Sequence, residues 1–304
     1  MYNYSMWFAL SILALLMLSG RRTAEKKAAT GIDSMAMAWL QQAVALPLII
    51  VSLFFAKFFW PNQLPLFFWE LMVAYVSLQT VYLYCYYRAI SIADISFVAP
   101  LMTLFSVGNM IGAYIILGQV PSVSGVIGAA FIVAGAWIIS RAKRSGNKAS
   151  IAAHKLALIL VIIAIIVCSI FSNLEVKMLH MSNPTSYNFY TSVLTVPFVI
   201  LVTILLLRRR NQNSRVYWNT VNNSVRGNVL PLAIVGITYA INMLATYQAK
   251  IIAPNQAYVG VIKAASVLPV VIIGVIFLKE KVSRRQWLGI GSMSVGLVFI
   301  ALNV

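Results

Sequence analysis

Acidic residues are what this chain has least of. Its 304 residues hold six Asp and Glu against 23 Lys and Arg, and charged residues of both signs make up 10% of the whole. A soluble globular domain carries about 25% charged residues. With 61% hydrophobic residues and a mean hydropathy of +0.89, the sequence reads as an integral membrane protein. Six acids spread singly along the chain give no paired carboxylates for acid–base chemistry and no metal cluster. No Walker loop, dinucleotide glycine fingerprint or HExxH is present. The expectation is a protein that is not an enzyme, holds no cofactor or metal and does not itself use ATP. A membrane acyl or prenyl transferase would need His, Asp or Glu clustered at one membrane face.

Cysteine and histidine are as scarce. Cys85 and Cys168 fall far apart inside apolar segments, with no disulfide framework and no zinc spacing, and His154 and His180 fall between apolar runs. The formal charge of +17 sits in short loops rather than on a basic domain, which argues against a nucleic-acid partner. No positive charge precedes the apolar run of residues 4–20, and Arg21 and Arg22 follow it. That pattern reads as a retained first helix rather than a signal peptide.

What the chain does have is an internal repeat. Lys27 to Pro47 lies over Lys177 to Pro197, keeping the Lys and the Pro at both ends, and Tyr87-Arg88-Ala89 lies over Tyr247-Gln248-Ala249. Gln119, Ser122, Gly128 and Gly135 then lie over Glu280, Ser283, Gly289 and Gly296. Ten apolar stretches can be read, at 4–20, 33–56, 67–88, 94–117, 123–140, 156–178, 185–207, 229–250, 255–278 and 286–303. About 20 apolar residues span the hydrocarbon layer as a helix, and in lipid only helices or closed barrels satisfy the backbone. The predicted fold is an all-α integral membrane protein: ten transmembrane helices as two inverted five-helix repeats, 1–145 and 146–304. Five helices per copy is an odd number, so the second copy enters the membrane upside down, as in many secondary transporters.

Loop charge sets a predicted orientation. One face would carry Arg21, Arg22, Lys26, Lys27, Arg88, Arg141, Lys143, Arg144, Lys148, Lys155, Arg208, Arg209, Arg210, Arg215, Arg226, Lys279, Lys281, Arg284 and Arg285, the other only Lys57, Lys177 and Lys250. Cytoplasmic loops retain Lys and Arg, so both termini are expected outside a plasma or inner membrane.

Polar stripes mark candidate cavity walls. Tyr75, Gln79, Tyr82 and Tyr86 share one face of the third helix, and their repeat partners in the eighth are Val235, Tyr239, Asn242 and Thr246, with Lys250 one turn beyond. The fourth helix offers Thr103 and Ser106 where the ninth offers Lys263 and Ser266. Polar groups at bilayer depth turn toward a bundle interior or a wet cavity, although such residues also simply stitch helices together. Lys263 lies too deep for easy snorkelling. A charge at the bilayer centre costs about 2.5–3.5 kcal/mol even on insertion scales, so either a substrate anion or Glu175 is expected to compensate it. Glu175 is also the candidate for proton coupling, with an interfacial pair to Lys177 or Lys263 as the plainer role. Gly125, Gly128, Gly135, Gly289, Gly291 and Gly296 mark helices five and ten as scaffold or as a homodimer contact.

The stretch from Gly260 to Gly296, with Glu280, Ser283, Gln286, Gly289 and Gly296 in place, and its first-half counterpart from Gly118, resemble the drug/metabolite transporter superfamily. The likeness is to its ten-helix EamA-type branch and covers nearly the whole chain. The resemblance implies a basket of two inverted repeats, a cavity between helices one to four and six to nine, and alternating access. Members export amino acids or other metabolites, or exchange sugar nucleotides and phosphorylated compounds. Gln119 stands where the usual Glu would be, and many bacterial members keep both termini inside, the reverse of the loop-charge reading. The expected function is a secondary transporter or exporter of a small polar metabolite such as an amino acid, with Lys263 tilting the choice toward an anion. A lipid-linked sugar or phospholipid flippase and a non-transport membrane protein are the alternatives.

Overall fold

A computed structural model describes residues 4–55, 57–118, 120, 122–140, 148–209, 211–253, 256–277, 279 and 282–301. Among them there is no strand. The helices are α1 (Tyr4–Ala29), α2 (Ser34–Leu53), α3 (Leu66–Ile92), α4 (Ile95–Leu101), α5 (Phe105–Leu117), α6 (Val123–Ser140) and α7 (Lys148–Met181), then α8 (Pro184–Arg209), α9 (Ser214–Gly227), α10 (Val229–Ile252), α11 (Gln256–Ala264), α12 (Val267–Phe277) and α13 (Arg284–Ala301). Short 3₁₀ turns occupy Pro61–Gln63 and Met102–Leu104. Six helical stretches are long and apolar enough to cross a membrane, and Val123–Ile139 and Ile262–Phe277 are shorter apolar helices.

Among the described residues, helix covers most of each of the ten stretches expected from hydropathy, with six helical stretches long and apolar enough to cross a membrane, and three details differ. The fourth and ninth are each broken, between α4 and α5 and between α11 and α12. Proline explains the second break: Pro269 has no N–H to give the Ala265 carbonyl, and that turn closes instead through Ser266 N to Lys263 O at 3.0 Å. In the first, Pro100 precedes the 3₁₀ turn, and the Pro100 carbonyl accepts from Thr103 Oγ1 at 2.7 Å. The second difference is α9, which hydropathy leaves as a loop. Its Tyr217, Val221 and Val225 pack onto the main core, while Arg215 and Arg226 stay exposed.

The third difference matters most for the site. The first helix does not stop at residue 20; it runs through Arg21, Arg22, Glu25, Lys26 and Lys27 to Ala29. No Gly or Pro interrupts residues 21–29, and Arg21 and Glu25 stand one turn apart as an ion pair. Arg21 and Arg22 are therefore not loop charges. Lys26 is not one either: its Nζ donates to the Ile90 and Ala93 carbonyls, both at 2.6 Å, at the end of α3.

The packing of the helices is unchanged when the two halves of the sequence are exchanged. α1 packs on α10 and α3 on α7, two contacts that map onto each other. Likewise α5 packs on α7 as α12 does on α1, and α2 on α10 as α8 does on α3. The pairs α2 with α8 and α6 with α13 each map onto themselves, and α4 with α12 maps onto α11 with α5. Ser122 and Ser283 hold equivalent posts. Ser122 Oγ accepts from Gly125 N at 3.2 Å at the start of α6, and Ser283 and Gln286 form a reciprocal cap at the start of α13, at 2.8 and 3.3 Å. The boundary at residues 145 and 146, with Arg141, Lys143, Arg144, Arg210, Gln119, Glu280 and Lys281, lies outside the described residues.

The glycines expected to permit close approach do so within the chain. A Cβ on Gly296 would stand 2.5 Å from the Gly128 carbonyl oxygen, and one on Gly135 would collide with the Gly289 carbonyl. Ser292 Oγ adds a bond to the Phe131 carbonyl at 2.8 Å. Gly128, Gly135, Gly289 and Gly296 of α6 and α13 thus pack on each other within the chain, the scaffold role expected of them, whereas a Cβ on Gly291 would meet nothing within 4 Å.

Candidate functional site

A cavity of about 170 Å³ lies among α1, α2, α3, α5, α7, α10 and α11. The aromatic and polar stripes reach it together. Tyr75, Gln79, Tyr82 and Tyr86 come from α3, Thr103 from the turn after α4, and Tyr239 and Thr246 from α10. Lys263 enters from α11 and Glu175 from α7. Spacing of three and four residues on an unbroken helix brings the α3 stripe to one wall, and Tyr82 stacks on Tyr86 with ring centres 5.9 Å apart. Phe171 of α7 closes edge-on against both Tyr75 and Tyr82, at 5.2 and 5.5 Å. Gln79 is held by Thr195 of α8, whose hydroxyl donates to its amide oxygen at 2.9 Å.

Three expected wall residues are elsewhere. Asn242 is fully buried and donates to the Ala14 carbonyl, tying α10 to α1. Ser106 and Ser266 do not border the cavity; Ser266 is buried in the break after α11 and meets Arg22 Nη1 at 3.4 Å.

The charges of the site come largely from residues that hydropathy assigns to loops. Arg21, Arg22 and Glu25 project from the extended end of α1, and Lys250 lies in α10. Glu25 is 1% exposed. Its carboxylate has Arg21 Nε at 3.1 Å and accepts from the hydroxyls of Tyr86 at 2.9 Å and Tyr87 at 3.0 Å. Tyr87 also lies 2.6 Å from the Gln41 amide oxygen, so its one proton serves two acceptors. The Arg21 guanidinium stands 5.3 Å over the Tyr239 ring, and its Nη1 is buried without a hydrogen-bond partner among the described residues.

Glu175 pairs with Lys250. This corrects both expected pairings, with Lys263 and with Lys177, and moves Lys250 from an outer loop into the wall. The i, i+4 placement of Arg21 and Glu25 in an uninterrupted run of helix formers was the one signal that could have found the α1 charges. Asn109, Ser172 and Asn173 complete a polar corner that sequence reading missed: Ser172 Oγ donates to Asn109 Oδ1 at 2.7 Å and Asn173 Nδ2 to the same oxygen at 3.2 Å.

Chemically, the wall can do two things. Its tyrosine and phenylalanine faces accept an apolar or planar body, and its four cations, facing two carboxylates, attract negative charge.

Comparison with known proteins addresses the whole chain. A search of curated proteins finds no match. One solved crystal structure covers 98% of this chain and 97% of its own at 16% identity, with a TM-score of 0.63; at that identity the likeness shows the fold alone. The model of the EamA-like transporter family matches residues 5–141 and again 155–302. Two matches, one for each copy of the repeat and together spanning most of the sequence, establish that the chain belongs to the EamA-like transporter family.

Proposed function

We propose that the chain is a secondary transporter that moves a small negatively charged metabolite across the plasma or inner membrane by alternating access. Ten membrane-crossing helices in two inverted repeats, 1–145 and 146–304, would carry it, and the exchange symmetry of the helix packing supports that arrangement. The observation that carries the reading is the central cavity itself: it lies between the two copies and is walled by both, with an excess of cations at bilayer depth. Repeat-related walls are what rocking of one repeat against the other requires. The broken helices on either side of Thr103 and Lys263 supply points where the backbone can bend.

Lys263 is the residue assigned to contact the substrate, with Tyr82, Gln79 and Tyr239 shaping the pocket. The size of the cavity favours a metabolite over a lipid-linked sugar, since an apolar cavity of about 150 Å³ holds a molecule of benzene size. Orientation rests on the remaining basic residues, chiefly Arg88, Arg208, Arg209, Arg215, Arg226, Arg284 and Arg285, which favour a cytoplasmic location for their face and extracytoplasmic termini.

The test compares cells carrying the wild type, Lys263→Ala or an empty vector, with metabolites quantified inside and outside by untargeted mass spectrometry. The expected result is a solute that redistributes with the wild type and stops doing so with the variant at equal expression. Identical profiles in all three would defeat the transport reading.

A further inference from the structure

Counting the charges around the cavity leads to a specific substrate class. Each carboxylate on the wall is already engaged. Glu25 is held by Arg21, Tyr86 and Tyr87, and Glu175 by Lys250. Two cations are left over. The described contact of Arg22 is the neutral Ser266 hydroxyl at 3.4 Å. Lys263 makes no hydrogen bond or ion pair among the described residues, although it borders the cavity. A buried charge that has lost its partner is strongly unfavourable, and two like charges in one low-dielectric space repel. Among the described residues the cavity wall therefore carries two more cations than carboxylates.

The two cations also come from different helices. Arg22 on α1 reaches Ser266, which lies in the break past the end of α11, whereas Lys263 lies within α11. One doubly charged phosphate group would have to draw both cations to a single point, whereas the carboxylates of a short dicarboxylate are separated by a few bonds. A zwitterion fits worse, because its ammonium would meet no free carboxylate among the described residues.

We propose that the cavity binds a short organic dicarboxylate, one carboxylate on Arg22 and the other on Lys263. This rests on the transport reading above and sharpens its substrate. The volume of about 170 Å³ suits a molecule of roughly four to six carbons, by comparison with the benzene-sized cavity of about 150 Å³. Tyr82 and Phe171, both on the cavity wall, supply apolar surface for its methylenes.

The experiment is calorimetric titration of the detergent-purified full chain with four probes. Succinate, butyrate and 4-aminobutyrate share a four-carbon skeleton and differ in charge, and ethyl phosphate carries two charges on one group. Succinate is expected to bind at least about tenfold more tightly than butyrate, the equivalent of one ion pair of about 1.4 kcal/mol, and more tightly still than 4-aminobutyrate. In Lys263→Ala, and separately in Arg22→Ala, the preference for succinate over butyrate should collapse toward unity, because succinate loses one of its two anchors and falls further than butyrate. That ratio reports ligand charge rather than folding, and thermal unfolding of each variant confirms that it is folded.

Equal affinity for succinate and butyrate, or tighter binding of 4-aminobutyrate, overturns the dicarboxylate assignment. Preference for ethyl phosphate overturns the placement of the two charges on separate groups. Absence of binding by all four overturns the substrate class; the cellular metabolite comparison then decides independently whether the transport reading survives, since solute redistribution there needs no knowledge of the substrate.

Discussion

The glycine seam between α6 and α13 and the charged cavity are two ways of filling space between helices in a membrane. In the seam, side chains are absent: Gly128, Gly135, Gly289 and Gly296 let backbones touch, and the contact is closed. In the cavity, side chains are long and polar, and among the described residues two of the charged ones have no ionic partner. Lipid is as apolar as leucine, so apolar surface alone gives helices little reason to associate, and close packing does the work of the seam. The cavity is held apart by groups that need something between them. One region is built for stability, and the other carries more cations than carboxylates, an excess that a bound anion would balance on the proposed reading.

The contrast breaks most sharply at Glu25. Glu25→Ala leaves Arg21 buried without its carboxylate and strips Tyr86 and Tyr87 of an acceptor, so a loss of about 3–5 kcal/mol is expected in thermal unfolding. A variant as stable as the wild type would show that the α1 charges are well hydrated and that the pair is incidental. Gly296→Leu should follow, at about 2–3 kcal/mol of destabilisation, because the new side chain meets the Gly128 backbone, which cannot turn aside. It should leave the ligand preference of the folded fraction unchanged, and a changed preference would mean that the seam and the cavity are coupled.

Lys263→Met is expected to have the opposite sign. Removing an uncompensated charge should stabilise the empty protein by about 1–2 kcal/mol while abolishing transport; a fall in stability would instead show that Lys263 is held by a structural partner. The smallest effect belongs to α9, outside the membrane-spanning helices. Tyr217 donates to Asp33 Oδ2 at 2.9 Å, next to the cap at which that carboxylate accepts from Met35 N and Ala36 N. Tyr217→Phe should cost about 0.5–1 kcal/mol. Burial and then the Asp33 carboxylate hold the Tyr217 phenol above its ordinary value of 10.0. The fold thus favours the protonated form. The stability so gained is intact below pH 10 and declines as pH rises through the raised value, a decline that Tyr217→Phe should not show.

The wall stripe of α3 was legible in one dimension because its spacing is a property of any helix. Tyr75, Gln79, Tyr82 and Tyr86 all reach the cavity. Their counterparts in α10 were legible only in part: Tyr239 and Thr246 face inward, whereas Asn242 turns to α1. Periodicity places a residue on a face but does not say whether a cavity or a neighbouring helix covers it. Arg21, Arg22 and Glu25 were misplaced for a different reason. A hydropathy window ends a membrane helix at its first charges, since a lone charge in lipid is costly, and it cannot know that a partner waits on another helix. Lys250 gains its place from Glu175, which lies 75 positions away in the chain.

The sequence by itself determined that the chain is helical, membrane-embedded and built twice, because the length of apolar runs and the recurrence of Ser, Gly and Pro at matched positions are local facts. Tertiary structure alone decided how far α1 continues, which glycines meet, and which cations remain unpaired. Those outcomes depend on what stands opposite each side chain, and pairing across helices is fixed only when the helices are packed.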